Sequence, residues 1–253
     1  MNSFKIESIY HDYLEHEQLE NRKKYKKYQK WFSASSAGYC YRRQLHKLKD
    51  DIQHPIKPTI MRKVRMGTVV HDDLEKAMIY WTKNNNYSDI SILTEHRIEL
   101  PDLNVVGHLD LCVIIEEDIV KCTVYDYKTA NSYKWKVNFG RDAYGMNETF
   151  YYMQLATYGM GMAKELDIFS NEITLKLVWY NKDTSVMREQ LIPNTWFDEA
   201  LEYWTLLNEI AEEVNNEPTS LHPGDVGVPF KDWECGYCPY QGTVCPGKSK
   251  LGG

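Results

Sequence analysis

The chain reads as a mixed α/β fold, a central mixed β-sheet flanked by helices, with a helical region before it and a cysteine-rich tail after it. Three observations lead there. Its 253 residues suffice for one large domain or two modest ones with a substantial core. The middle of the chain holds three consecutive runs rich in β-branched residues, and helix-length segments lie on either side of them. Composition is that of an ordinary globular protein, 43% hydrophobic and 26% charged, with a mean hydropathy of −0.56. There is no apolar run long enough to cross a bilayer, and MNSFKIESIYHDYLEHE lacks the apolar core of a secretory signal. A cytoplasmic location is therefore expected, where the six cysteines serve as thiols or ligands rather than disulfides.

Taken in order, residues near 4–31 predict a long charged helix. A second helix is expected from the caps at Ser33 and Ser35 past Cys40, and a third from about Thr59 to Lys83, where NNNYSD breaks it. The strand-like runs are SILTEHRIEL, NVVGHLDLCVII and VKCTVYDYKTA, with turns at Pro101-Asp102 and Glu116-Glu117-Asp118. A helix over roughly Glu148–Leu166 follows. Then come two more strands, ITLKLVWY and VMREQLIP, hinged at Asn181-Lys182-Asp183, and a helix of about twenty residues from Asn194.

The net charge of −6 conceals an asymmetry. Between Asn21 and Met66 stand 14 lysines and arginines against Asp50 and Asp51 alone, so this segment carries +12 and the remainder −18. Such a segment suits a local polyanion-binding surface, with Lys23, Lys24, Lys27, Arg42 and Arg43 as candidate DNA contacts. Tyr25, Tyr28, Trp31 and Phe32 interleave with the lysines, which suits stacking on unpaired bases or packing onto the domain. A solvated helix face is the other reading of KKYKKYQKW.

Side chains alternate faces along a strand, so Cys122, Val124, Asp126, Lys128 and Ala130 share one face, and Val106, His108, Asp110, Cys112 and Ile114 share another. With Glu117, Asp118 and Ile119 as the loop, antiparallel partners sum to 236 and Asp110 lies across from Asp126. Two opposed carboxylates on a partly apolar face repel and lose hydration unless something positive lies between them. Lys128 could neutralise one; a bridging Mg²⁺ or Mn²⁺, which prefers oxygen ligands, would neutralise both. A surface hairpin with an ordinary Asp–Lys contact is the alternative.

Gly107-x-x-Asp110 followed by Asp126-Tyr127-Lys128 resembles the core of the PD-(D/E)XK nucleases. Gly67-x-x-x-His71 and Gln154-x-x-x-Tyr158 resemble the two helical motifs of its RecB-like branch, in the family's order. The resemblance implies a restriction-endonuclease-like core over 67–216. It also implies that His71, Asp110, Asp126 and the Tyr127 carbonyl ligate Mg²⁺ or Mn²⁺, with Asp110, Asp126 and Lys128 catalytic and Gln154 and Tyr158 positioning substrate or the lysine. Glu95 is a candidate for a second-metal or supporting role. The family usually carries glutamate where Asp126 stands.

The tail supplies Cys235, Cys238 and Cys245, and three clustered cysteines need a fourth ligand for zinc or a four-iron cluster. Cys40 is the main candidate and His222 an outside one; Cys112 and Cys122 suit small core residues. One cysteine before the core and C-x2-C-x6-C after it resembles the iron–sulfur RecB-like exonucleases. There a 4Fe–4S cluster joins the N-terminal helical region, here 1–66, to the C-terminal tail, here 217–253. The resemblance therefore implies a DNA exonuclease acting on single strands or ends, more often 5′→3′. A catalytically idle DNA-end-binding subunit, a structure-specific endonuclease and a zinc-stapled nucleic-acid-binding protein are the competing readings.

Overall fold

The computed structural model describes residues 5–25, 30–85, 88–116, 120–141, 148–217, 220–221, 231 and 233–247. The chain opens with helix α1 (Ile6–Tyr25), and residues 26–29 of the expected longer helix lie outside the described ones. The helix expected from Ser33 does not form there. Phe32–Ser33 is instead a short strand, β1, and a 3-10 turn over Ala34–Ser36 follows. Phe32 is 3% exposed and its N–H bonds Asn104, so burial of the ring outweighs the capping signal of the serines. Gly38, at φ +77°, then turns the chain so that helix α2 (Tyr41–Leu48) begins only after Cys40.

Helix α3 (Pro58–Asn84) has Pro58 at its first turn, where the missing N–H costs nothing. Strands β2 (Ile90–Leu100), β3 (Val105–Glu116) and β4 (Val120–Ala130) follow, antiparallel in sequence. The β3–β4 register pairs Glu116 with Val120 and Leu111 with Tyr125, the register expected from alternation and loop length. A short helix, α4 (Ser132–Phe139), was not legible beforehand. Asn131 caps it by accepting from the Lys134 N–H at 2.8 Å. Helix α5 (Thr149–Leu166) crosses over the sheet, so that β5 (Ile173–Asn181) joins β4 in parallel and β6 (Met187–Ile192) returns antiparallel at the edge. Helix α6 (Trp196–Glu213) packs beside α5, and the tail holds one turn, α7 (Glu234–Tyr237).

This six-stranded mixed sheet is covered on both faces. One face, with Cys112, Ile114, Cys122 and Val124, packs into the main core with Leu155 and Met162 of α5 and Trp204 of α6. The other face, with Leu111, Tyr127 and Val178, meets Leu74 and Met78 of α3. Among the described residues no helix is long and apolar enough to cross a membrane.

Gly107 sits where these layers come closest. A Cβ there would lie 2.6 Å from Ala34 Cβ and 2.8 Å from Tyr158 Cε1, so glycine lets α5 seat its tyrosine directly on β3. At Gly67 on α3, by contrast, a Cβ would meet just Thr129 Oγ1 at 3.5 Å, an ordinary contact. Gly107→Ala should therefore destabilise the fold by about 1–3 kcal/mol in denaturant unfolding. Gly67→Ala should stabilise it by about 0.5–1 kcal/mol through helix propensity. Equal effects from the two substitutions would contradict this packing.

Candidate active site and cysteine cavity

The β3–β4 ladder stops at Leu111↔Tyr125, while the first residues of β3 pair with β1. Asp110 and Asp126 stand at the place where the strands part. There the Asp110 carboxylate takes over from the ladder, accepting the Tyr127 N–H at 2.6 Å through Oδ2. Helix α3 brings His71 Nδ1 to 3.6 Å from the same oxygen, with its ring edge-on to Tyr127 at 5.6 Å.

On the α5 side Asp126 is 1% exposed, and the Lys128 ammonium contacts its Oδ2. Gln154 links the pair: its Nε2 donates to Asp126 Oδ1 at 3.1 Å and to the Tyr158 hydroxyl at 3.0 Å, and its Oε1 accepts from Lys128 Nζ at 3.3 Å. Gln154 and Tyr158 reach the carboxylate together because i and i+4 share a helix face. The ammonium also lies 4.7 Å from the centre of the Tyr151 ring, a cation–π contact that sequence spacing did not suggest. The residues His71, Asp110, Asp126, Tyr127, Lys128, Gln154 and Tyr158 thus converge in the structure from α3, β3, β4 and α5.

Burial sets the electrostatics. It pushes the Asp126 carboxyl up to about 6, with the Lys128 charge opposing and the Asp110 charge reinforcing the shift. Burial disfavours the Lys128 ammonium, but the two carboxylates outweigh it and the pKa is raised, so lysine stays charged. Burial likewise works against a charged His71, but contact with Asp110 and the charges of Asp110 and Asp126 together outweigh it, raising the imidazole. Tyr158 is held well above the usual phenol range, first by burial and then by the charges of Asp126 and Asp110.

Glu95 stands opposite Asp110, since Thr94 pairs with Leu111 and His96 with Leu109. Its backbone is left-handed, at φ +47°. Burial, then Asp110 and Glu75, raise its carboxyl.

No three His, Cys, Asp or Glu side chains among the described residues are grouped closely enough to hold a metal ion alone. Magnesium-type ions, however, retain several waters and need just one or two carboxylates. The donor chemistry fits that requirement: the Asp126 carboxylate is buried with the Lys128 ammonium on Oδ2, and Asp110 stands just past the end of the β3–β4 ladder.

The four cysteines Cys40, Cys235, Cys238 and Cys245 line one small cavity with Arg42 and His46. Burial pushes the Cys40 thiol up to about 12 and also raises Cys238. Burial opposes ionisation of Cys245 too, but nearby His46, the Gly247 N–H and the Arg42 guanidinium together bring it down to about 7. His46 is itself oriented by Asp51, 2.7 Å from Nδ1. Arg42, an expected DNA contact, is placed among the thiols. Its side chain is 4% exposed and Nη1 approaches Cys245 Sγ at 3.8 Å, facing the thiols instead of solvent.

Arg43 is half-buried over the Tyr39 ring. Lys23 pairs with Glu20 at 2.7 Å, whereas Lys27, the Lys24 side chain and His222 lie outside the described residues. Cys112 and Cys122 are buried in the core with their sulfurs 3.3 Å apart.

A strand-borne aspartate pair, a lysine two residues on and a helix-borne glutamine and tyrosine are thus gathered at one place on the sheet. Residues 74–246 match the PD-(D/E)XK nuclease superfamily, and the chain belongs to that superfamily. The match begins after Cys40, Gly67 and His71, whose places in the site rest on the geometry alone. The solved structure of SSO0001 is 20% identical and superposes with a TM-score of 0.52 over 93% of this chain and 95% of its own, a likeness of fold. A structure from Eubacterium rectale named "Putative exonuclease" is 12% identical, covering 78% of this chain and 85% of its own at a TM-score of 0.47. No curated protein matches the chain.

Because Asp126 titrates near 6, cation binding below that pH must displace its proton, and above it need not. Affinity for Mn²⁺ should therefore fall by up to about tenfold per unit as pH drops below 6, with proton release visible by calorimetry in buffers of different ionisation enthalpy. An affinity flat between pH 5 and 7.5 would contradict the shift.

Proposed function

We propose that this nuclease is a Mg²⁺- or Mn²⁺-dependent DNA exonuclease acting on single-stranded DNA or DNA ends, in the 5′→3′ sense, with a structural 4Fe–4S cluster. The observation that carries the hydrolytic reading is the buried Asp126–Lys128–Gln154–Tyr158 network set against Asp110 and His71. Asp110, Asp126, His71 and the Tyr127 carbonyl would hold the cation. When bound, it supplies Lewis acidity and a water of lowered pKa.

The chain's own groups do the rest. Lys128, kept protonated by the carboxylates, acts as a charge and hydrogen-bond donor instead of a base, stabilising negative charge that develops at the phosphate. Gln154 bonds both Lys128 and the Asp126 carboxylate and so holds the contact between them in one geometry. Tyr158, held as a neutral phenol, accepts from Gln154 and orients the amide.

Four thiols drawn from positions about 200 residues apart onto one cavity support the cluster reading. A zinc site more often takes its ligands as two local pairs. The cluster's role would be to clamp the region around α2 to the tail, since closing so long a loop restrains the unfolded chain.

End-labelled linear DNA with Mn²⁺ should be degraded by the wild type and left intact with chelator or by Asp126→Ala, while Lys128→Ala should lose roughly 10²–10³-fold in rate. DNA binding without cutting by the wild type would leave an idle end-binding subunit in place of the enzyme, and cutting of closed circles an endonuclease. Protein purified without air should be brown, with about four irons and four acid-labile sulfides per chain. Cys40→Ala should be colourless and melt at a lower temperature. Colourless wild type carrying zinc would remove the cluster from the proposal.

A further inference from the structure

Four aromatic side chains outside the hydrolytic network form a continuous row that ends beside it. Tyr39 stacks on Phe150 with ring centres 4.7 Å apart. Phe150 meets Trp233 edge-on at 5.6 Å, and Trp233 meets Tyr237 edge-on at 6.0 Å. The row runs from the interior to the surface: Tyr39 and Phe150 are half-buried, Trp233 is 52% exposed and Tyr237 80% exposed. Two adjacent large rings left in water on a one-turn helix contribute little to the core, and such exposure marks a binding surface.

The inner end of the row locates that surface. Phe150 precedes Gln154 by four residues on α5, so the two share a helix face one turn apart. Gln154 in turn bonds Lys128 and Asp126. The Arg43 guanidinium lies 4.0 Å above the Tyr39 ring, placing positive charge along the row. Burial raises the Tyr39 pKa, with the Arg43 charge the first to oppose the shift.

Resting on the nuclease reading above, we propose that the exposed Tyr237 and Trp233, backed by Phe150 and Tyr39, form a stacking platform that leads the unpaired bases of one DNA strand toward the hydrolytic network. Aromatic rings bind bases through their π-faces, and those faces are free in a single strand but covered in a duplex. Arg43 adds the charge that a phosphate backbone requires. The guanidinium on the row and the shared α5 face of Phe150 and Gln154 favour a polyanion over a protein partner.

The test is binding of labelled oligodeoxynucleotides to the full chain in chelator, where nothing is cut, for wild type, Tyr237→Ser, Trp233→Leu and Tyr237→Trp. Each of the first two should weaken single-strand binding roughly tenfold. Both should leave duplex affinity, binding of an abasic strand of equal length and the salt dependence unchanged. Tyr237→Trp should restore the affinity, which separates stacking from a loss of folding. Unchanged single-strand affinity in both weakening variants overturns the platform, as does an equal loss on the abasic strand. If those variants bind like a wild type that still cuts DNA, the platform falls and the nuclease reading stands. If the wild type neither binds nor cuts DNA, the nuclease reading fails and takes the platform with it.

Discussion

A carboxylate removed from water is the constraint around which this protein is organised. Asp126 lies beneath α5 with almost no exposure, and an isolated charge there would cost several kcal/mol. Lys128 and Gln154 offset that cost, and both must be held still to do so. Lys128 is on the same strand two residues on, and Gln154 is delivered by a helix pressed onto the sheet over Gly107. The compensation is incomplete, which is why the carboxyl still titrates near 6. The folded state therefore holds this proton more tightly than the unfolded chain, whose aspartate titrates near 4, and ionising Asp126 lowers stability as pH rises through that interval. A cation placed between Asp126 and Asp110 would relieve the same stress.

The parting of β3 from β4 follows from the same requirement. Had the ladder continued past Leu111, Asp110 and Asp126 would face each other with no opening between the strands. Instead β1 takes the first residues of β3, and the Asp110 carboxylate receives the Tyr127 N–H that a ladder carbonyl would otherwise have taken. The site opens at the end of a hairpin whose other half is locked in the core, which makes it rigid yet accessible from α3, where His71 enters.

The cysteine cavity is tied into the domain by ordinary polymer contacts as well as by its thiols. Glu234, 2% exposed, accepts from the Cys40 N–H at 2.8 Å, His54 donates its N–H to the Pro239 carbonyl at 2.8 Å, and Gln53 bonds the buried Tyr240 hydroxyl at 2.8 Å. The region after α2 and the tail thus already meet through backbone and side-chain bonds, so thiol ligation would reinforce a contact instead of creating one. Cys245 differs from Cys40 and Cys238 in that the Arg42 guanidinium reaches its sulfur, and its thiol is brought down to about 7 while theirs are raised.

Much of this was legible in the residues alone. Alternation along VKCTVYDYKTA and the three-residue turn before it determined the strand register as far as Leu111 and Tyr125, because a period of two leaves one choice once the loop length is known; the direct opposition of Asp110 to Asp126 expected from it is not reached, since the ladder ends one pair earlier. The i, i+4 spacing of Gln154 and Tyr158 placed both on one face of α5. What lies across elements was not legible. The serines before Cys40 signal a helix cap, yet Phe32 enters the sheet because its ring finds a core pocket that no local pattern records. A positive run contains Arg42, and only packing decides that its guanidinium serves a thiol some 200 residues away. The left-handed Glu95 and the row from Tyr39 to Tyr237 likewise join residues distant in the chain. Local periodicity is written in consecutive residues, so the sequence by itself determined the strands, the long helices and the carboxylate pair. Which buried groups meet depends on the sum of all the packing, and that the tertiary structure alone decided.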